Sequence, residues 1–398
     1  MHILYLHQYF CPPGGSGNNR SLELARRWVE AGHQVTFLTS PAYFPETMRR
    51  SSGQWKIELE GIPIHVLNVD YRHLMPFRQR LRAFLQFYRA GLRYRDRLPR
   101  PDLIYASSTP LTVGELGRKY ARHWRIPFVY ECVDVWPDVP IGMGYVRNPL
   151  LIGWLNRRTN RIYREAAEVV TLSEGMAEQI LSHGVPAEKV HVVHNGCDPR
   201  AFPYIDRGPK AEVQVIYAGT VGVANGADAI VRAARMIWEQ GRRDIRFVVL
   251  GQGNDRERVQ ALAERTHVPN LRFLDRVPKE EVAALLAASD IGLITFAPFP
   301  VLEANSANKF YDYLASGLPV VTNYRGWQAG YLEAWACGRP APMGDEAQLV
   351  ANILELADDP QMRRRMGRKG RELVLARFDR RVLADRLLDL FEGVRVRG

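Results

Sequence analysis

The feature that most constrains this chain is an alternation. Short runs rich in Val, Ile, Leu, Tyr and Phe recur between helical patterns, and the alternation stops once and then restarts. In the first half the runs lie at 2–8 (HILYLHQ), 34–40, 62–69, 103–108, 128–134, 168–173 and 190–196, with helical patterns such as 19–32 between them. Runs that are apolar at nearly every position fit strands buried on both faces. Such strands belong to a parallel sheet whose crossover helices cover it. Residues 197–212 (CDPRAFPYIDRGPKAE) break the pattern with three prolines and a glycine. New runs follow at 213–219, 246–251, 271–275, 291–296 and 319–323, and 345–398 reads as helical throughout. The expected fold is α/β: two doubly wound, parallel-sheet, Rossmann-like domains with a C-terminal helical segment. We place the first domain at 1–197, a linker at 198–212, the second domain at 213–377, and at 378–398 a helix that packs back on the first domain. Ligands of such sheets sit outside the carboxyl ends of the strands, so the expected site is an interdomain cleft.

Composition removes several classes. The 398 residues are 46% hydrophobic and 24% charged, which excludes a disordered tail, a collagen or a small disulfide scaffold. No run of eighteen apolar residues predicts a membrane-spanning helix. The first fifteen residues read as a strand and not as a signal peptide. Cys11, Cys132, Cys197 and Cys337 are far apart and form no C-x-x-C pair, which fits a reducing cytoplasm and no zinc site.

The net charge of +11 is local. Residues 72–100 hold nine arginines and a single acid, Asp96, and a second basic cluster spans 363–381. Basic surfaces attract anions generally. In the first segment the arginines alternate with Leu74, Met75, Phe77, Leu81, Phe84, Leu85, Phe87, Tyr88 and Leu92. A basic amphipathic helix suits an anionic membrane surface, and equally a core-facing helix with a solvated rim; both readings stay open.

Three corners carry candidate chemistry. After the first strand, CPPGGSGNN (11–19) offers Gly15 and Gly17 ahead of a helix N-terminus, where free amides can meet an anion. Arg20 stands where a dinucleotide fingerprint needs its third glycine, and no Gly-Lys dipeptide exists to make a P-loop. The second domain opens alike with AGTVGVANG (218–226), bringing Gly219, Thr220 and Gly222 to a strand–helix corner, and LGQGNDRER follows at 250–258. The most informative stretch is PFPVLEANSANKFYDYLASGLPVVTN (298–323). A helix there has its first amides near Asn308 and Lys309, so dipole and ammonium both favour a negative ligand. Asp312 shares the face of Lys309 and can accept hydroxyl hydrogen bonds. The plainer reading makes Asp312 a dipole-complementing acid and Lys309 solvent-facing. Among the histidines, His7 ends the first strand beside the glycine loop and could touch a substrate. His33 and His194 read as structural.

At this point the chain resembles a family. NKFYDYLASGLPVV (308–321) is similar to the end of the donor-site motif of family 4 retaining glycosyltransferases, which have the GT-B fold. The opening 8–40, VVHNGCD (192–198), YAGTVG, FVVLGQG, FLDRVPKEEVAALLAASDIGLI and the RRRMGRKGRELV helix follow in family order. YECVDVWPD (130–138) resembles a subset that builds bacterial O-antigen and capsule chains, including L-fucosaminyl transferases. The resemblance implies an acceptor-binding first domain and a nucleotide-sugar-binding second one, with backbone near Arg276 and Val277 reading the base. It also shows departures. Of the family's two glutamates eight positions apart, Asp312 takes the second place and Ala304 the first, with Glu303 one position early. The family's diphosphate-clamping Arg and Lys fall on Thr220 and Asn225, which leaves the charge to Lys309, with Arg276 or Arg325. The histidine often found in the first domain falls on Val133. Asp134 and Glu131 are the acids to test in its stead.

The function implied is transfer of a sugar, with retention, from a nucleotide diphosphate sugar (UDP-linked above all) to a saccharide or lipid-linked acceptor in surface polysaccharide synthesis. No Asp-x-Asp occurs, so neither a metal nor any other cofactor is expected, and the protein must itself neutralise the leaving diphosphate. Domain closure would exclude water. The protein would be cytoplasmic and peripheral on the inner face of the plasma membrane. Two alternatives share the fold: a sugar-nucleotide 2-epimerase, which needs no acceptor, and a non-catalytic two-lobed binding protein. Nucleic acid is not an expected partner, because no base-stacking platform or RNA motif accompanies the basic charge.

Overall fold

The computed structural model describes residues 1–15, 19–50, 52–71 and 75–397. Gly17 lies outside them. The chain divides into two compact units, Met1–His194 with the segment from Arg380 onward, and Asn195–Asp379. Each is a doubly wound α/β domain.

The first unit runs β1 (His2–Leu6), α1 (Arg20–Glu30), β2 (Gln34–Thr39), β3 (Gln54–Leu59), β4 (Ile62–Leu67), α2 (Phe77–Tyr94), β5 (Leu103–Ser107), α3 (Leu111–Trp124), β6 (Phe128–Cys132), α4 (Asp138–Gly142), α5 (Pro149–Glu165), β7 (Glu168–Thr171), α6 (Glu174–Ser182) and β8 (Val190–Val192). Its sheet has the order β3-β4-β2-β1-β5-β6-β7-β8. All neighbours are parallel except the β3–β4 hairpin at the edge. That hairpin corrects the expected purely parallel sheet. Trp55, Ile57 and Leu59 alternate with Lys56 and Glu58, a half-exposed pattern unlike the central strands. Glu60 and Gly61 both adopt positive φ (55° and 78°), as a two-residue hairpin turn requires.

The second unit runs β9 (Val213–Ala218), α7 (Asp228–Glu239), β10 (Ile245–Leu250), α8 (Arg256–Arg265), β11 (Leu271–Leu274), α9 (Lys279–Ala288), β12 (Ile291–Ile294), α10 (Asn308–Ala315), β13 (Val320–Thr322), α11 (Gly326–Ala334), β14 (Gly338–Pro340), α12 (Glu346–Asp358) and α13 (Pro360–Leu373). Its six strands are all parallel in the order β11-β10-β9-β12-β13-β14. The segment expected as a linker, 198–212, belongs to this unit. Arg207 explains why: its side chain is buried and donates to the carbonyls of Ser289 (2.5 Å), Ser316 (2.9 Å) and Leu286 (2.9 Å). A proline-rich stretch without strand or helix can still be ordered when a buried guanidinium anchors it.

The last helix, α14 (Arg380–Arg397), is part of the first unit. Its Leu383, Leu387, Leu388, Phe391 and Val394 complete the core around Trp28, Phe37 and Tyr105. The Trp28 indole donates to the Ala384 carbonyl at 3.0 Å, and Arg27 pairs with Asp385 at 2.7 Å. In both sheets the winding reverses beside the first strand, at β2-β1-β5 and at β10-β9-β12. Those two switch points leave crevices outside the carboxyl ends, where ligands of open sheets bind. Among the described residues, no helix is long and apolar enough to cross a membrane.

Candidate functional site

In the second unit the crevice between β9 and β12 is lined by the loop after β9 and by the start of α10. Helix α10 opens at Ala307, and no side chain caps it. The amides of Asn308 and Lys309 have no hydrogen-bond partner among the described residues; the Phe310 amide turns back to the Ala307 carbonyl (3.1 Å). An uncapped α-helical start carries about half a positive charge. The preceding residue, Ser306, is held from two sides. Its carbonyl accepts from Asn195 Nδ2 (3.3 Å) and its hydroxyl meets the Tyr311 hydroxyl (2.8 Å).

Lys309 adds an ammonium at the same end. Its ammonium lies 3.7 Å from the centroid of the Tyr217 ring, and it makes no ion pair or hydrogen bond among the described residues. The Tyr217 hydroxyl is fixed by donation to the Thr220 carbonyl at 2.7 Å. Gly219 leaves room for the lysine arm: a Cβ there would stand 2.7 Å from Lys309 Cε. Burial without a counter-charge pushes the Lys309 pKa down to about 7. A partly exposed cation, held by an aromatic face and set at a helix N-terminus, can receive an anion.

The glycine corner itself contributes fewer donors than its sequence suggests. The Gly219 and Val221 amides donate to the carbonyls of Leu250 and Gln252, at 2.9 and 3.0 Å, and the Gly222 amide meets Asn225 Oδ1 at 3.3 Å. Asn225, where the resembled family has lysine, is thus a turn-closing residue here. Gly251 is needed for contact, since a Cβ there would collide with the Gly219 carbonyl. Of the other expected cations, Arg276 is exposed. Arg325 is taken by Glu333 (2.5 Å), while its backbone amide donates to Glu303 (3.2 Å). Asp312 is partly exposed one turn beyond Lys309, and Val277 is partly exposed after β11.

In the first unit, β1, β5 and β6 are neighbours, and residues just past their carboxyl ends are His7, Thr109 and Asp134. Asp134 Oδ2 accepts from the Thr109 hydroxyl at 2.6 Å. Burial pushes its carboxyl above the usual range, and the Thr109 bond offsets part of that. His7 is partly exposed, but its Nδ1 is buried and without a partner among the described residues. Burial brings its pKa down to about 4, so it is neutral at pH 7. Glu131 differs sharply from Asp134. It lies within β6, is fully buried, and pairs with Arg20 at the start of α1. Burial alone would raise its pKa; the Arg20 guanidinium overrides this and holds the carboxyl below its ordinary value. A carboxylate locked in that pair is part of the core. Gly15 closes a turn by donating to the Pro12 carbonyl (2.9 Å), and a Cβ on it would collide with the Tyr43 carbonyl.

Sequence reasoning therefore named Lys309 and Asn308 but missed Tyr217 and Thr109, the side chains that hold Lys309 and Asp134. The only available signal for Tyr217 was an aromatic at the end of a strand that feeds a glycine corner.

The two units correspond to two family models. Residues 15–196 match a glycosyl transferase 4-like domain, and residues 206–373 match glycosyl transferases group 1. The glycogen synthase of Mycobacterium tuberculosis is 24% identical over 96% of this chain and 92% of its own length. The amylovoran biosynthesis glycosyltransferase AmsK of Erwinia amylovora is 23% identical over 50% of this chain and 49% of its own. The structure of Anabaena HepE in complex with UDP-glucose superposes with a TM-score of 0.70 at 18% identity, covering 99% of this chain and all of that one. Fold and family models together define a glycosyltransferase of GT-B architecture. The chain thus carries a glycosyl transferase 4-like domain followed by a glycosyl transferases group 1 domain.

Proposed function

We propose that this chain transfers a sugar, with retention and without a metal, from a UDP-linked sugar to a lipid-linked saccharide during bacterial surface polysaccharide synthesis. The observation that carries the reading is the Lys309 ammonium, without an ion pair among the described residues, at the uncapped start of α10. Departure of a nucleoside diphosphate places extra negative charge on two phosphates, and preorganised positive charge there lowers the barrier. The charged groups poised for it are Lys309 and the Asn308 and Lys309 amides. With front-face attack the leaving phosphate takes the acceptor's proton, so no protein nucleophile is needed. Asp312 is positioned to accept sugar or ribose hydroxyls, and backbone near Arg276 and Val277 to meet the base. In the first unit Asp134, held by Thr109, is the acid suited to orient an acceptor hydroxyl. The UDP-glucose in the HepE complex and the amylovoran biosynthesis of AmsK support the donor and product classes.

We place the protein in the cytoplasm, peripheral on the inner face of the plasma membrane. Helix α2 supports this. Ala83, Phe87 and Tyr94 face the core, while Arg78, Arg82, Arg89 and Arg93 are exposed beside Leu81 and Leu85. The core-facing reading of this helix is met by its buried face, and the exposed arginines and leucines are what supports the membrane reading.

The test is a thermal-shift panel of UDP-, GDP- and dTDP-sugars followed by turnover with a polyprenyl-linked acceptor. Stabilisation by UDP-sugars and acceptor-dependent release of UDP are expected. Release of UDP with an altered free sugar and no acceptor would point to a 2-epimerase instead.

A further inference from the structure

We propose that the start of α5 forms a second contact with an anionic lipid bilayer, alongside α2, at the carboxyl-end rim of the first sheet. This deepens the membrane part of the function proposed above and rests on it, not on the sugar chemistry.

The observation is a concentration of exposed apolar side chains where no core needs them. Tyr145, Leu150, Leu151 and Trp154 fall within ten residues, with Leu150 84% and Trp154 54% exposed. Helix α5 begins by a strong local rule: Asn148 Oδ1 accepts the Leu150 and Leu151 amides and Pro149 takes the first helical position. Its apolar tip is therefore rigidly presented. Residues 139–164 contain five arginines (147, 157, 158, 161 and 164) between the flanking acids Asp138 and Glu165, and two of the five are paired, Arg158 with Glu115 and Arg161 with Glu165. The Arg158 guanidinium lies 5.1 Å from the Trp154 ring centroid. An aromatic and two leucines at a helix tip, followed by arginines, matches a surface that seats apolar groups between headgroups and meets lipid phosphates with its cations. A protein partner would not explain the excess of arginine over acid as simply.

The second argument is position. Helices α2, α3 and α5 each lead from the carboxyl end of one strand towards the amino end of the next strand laid parallel in the sheet, so all three start at the carboxyl edge. They form one layer. Gly91 of α2 abuts Leu116 of α3, Gly114 of α3 abuts Ile162 of α5, and Arg158 of α5 bonds Glu115 of α3 at 3.3 Å. Leu116, which meets Gly91, directly follows Glu115, which meets Arg158, so Gly91 and Arg158 mark neighbouring levels of that layer. From there Leu85 and Leu81 lie six and ten residues towards the helix start, and Trp154 and Leu150 four and eight. At about 1.5 Å per residue the apolar pairs stand roughly 9 and 15 Å above it on α2, and roughly 6 and 12 Å on α5. Two apolar prongs thus project at the edge that carries His7 and Asp134. A bilayer seated on them would present a lipid-linked acceptor to that edge.

The experiment is flotation of the full chain with vesicles of phosphatidylcholine alone or of phosphatidylcholine mixed with phosphatidylglycerol, whose anionic headgroups set up a negative surface potential, with gel filtration and thermal unfolding alongside. The Leu150→Ser/Leu151→Ser/Trp154→Ser variant should lose at least about tenfold in partitioning to anionic vesicles, while its melting temperature and UDP binding stay unchanged. Arg157→Ala/Arg161→Ala should weaken binding to anionic vesicles only. Undiminished flotation of the α5 triple variant overturns the proposal. If Arg78→Ala/Arg82→Ala/Arg89→Ala then abolishes flotation, the α2 contact survives alone. A wild-type dimer that becomes monomeric in the triple variant, with no vesicle binding by either, would overturn it too, assigning the patch to a second copy of the chain.

Discussion

If Lys309 must be charged to hold a nucleoside diphosphate, and burial has brought its pKa down to about 7, affinity should depend on pH in a window where few other groups change. The sign is fixed. The ammonium is present below pH 7 and lost above it, and a bound diphosphate drives it back on. The apparent Kd for UDP then scales as one plus ten to the power of pH minus pKa. That is roughly an elevenfold loss at pH 8 and about a hundredfold at pH 9, or about 1.4 kcal/mol per pH unit. The ligand does not confound the window, because a terminal phosphate with a second pKa near 6 is fully ionised above pH 7. Isothermal titration calorimetry of UDP at pH 7, 8 and 9, in buffers of different ionisation enthalpy, measures both consequences. At pH 8 the protein should take up close to one proton on binding. Lys309→Arg, charged throughout, should flatten the slope and abolish the uptake, whatever it does to absolute affinity through crowding at Gly219. A Kd independent of pH from 7 to 9, with no proton uptake in the wild type, would refute the assignment.

The same lysine predicts a trade between stability and activity. Lys309→Met, which removes a desolvated charge, should stabilise the ligand-free fold by about 1–3 kcal/mol near pH 7 in urea unfolding, yet lower kcat/KM by about 10²–10³-fold. The two neighbouring acids of the first unit should separate cleanly. Glu131→Ala leaves Arg20 buried and unpaired and should cost about 3–5 kcal/mol of stability, whereas Asp134→Asn should melt near the wild-type temperature but lose kcat. Because burial raises the Asp134 carboxyl, any activity that needs its charge should fall with decreasing pH from above the usual carboxylate range, and Asp134→Asn should erase that limb. Phe391→Ala in α14 should destabilise the first unit by about 3–5 kcal/mol, with UDP binding by the folded protein unaltered; a loss below about 1 kcal/mol would deny that this helix completes the core.

Much of this protein is written locally. Apolar runs of strand length, spaced by helical patterns, marked twelve strands without any tertiary knowledge, because a strand covered on both faces has no polar side to show. Residues 308–312 announced a cation and an acid on one face of a helix start, since that depends only on helical spacing. What only the tertiary structure decided is which groups are already satisfied. Glu131 and Asp134 are three residues apart and look equivalent in sequence, yet one is sealed against Arg20 and the other stands at the sheet's edge with Thr109. Gly219, Val221 and Gly222 read as an anion loop until their amides are found donating to Leu250, Gln252 and Asn225. Lys309 owes its lowered pKa to burial, and its place to Tyr217 of β9, far from it along the chain. Secondary structure follows from the periodicity of neighbouring residues, but charge, burial and hydrogen-bond capacity at a site are settled by groups distant along the chain, and those contacts exist only once it has folded.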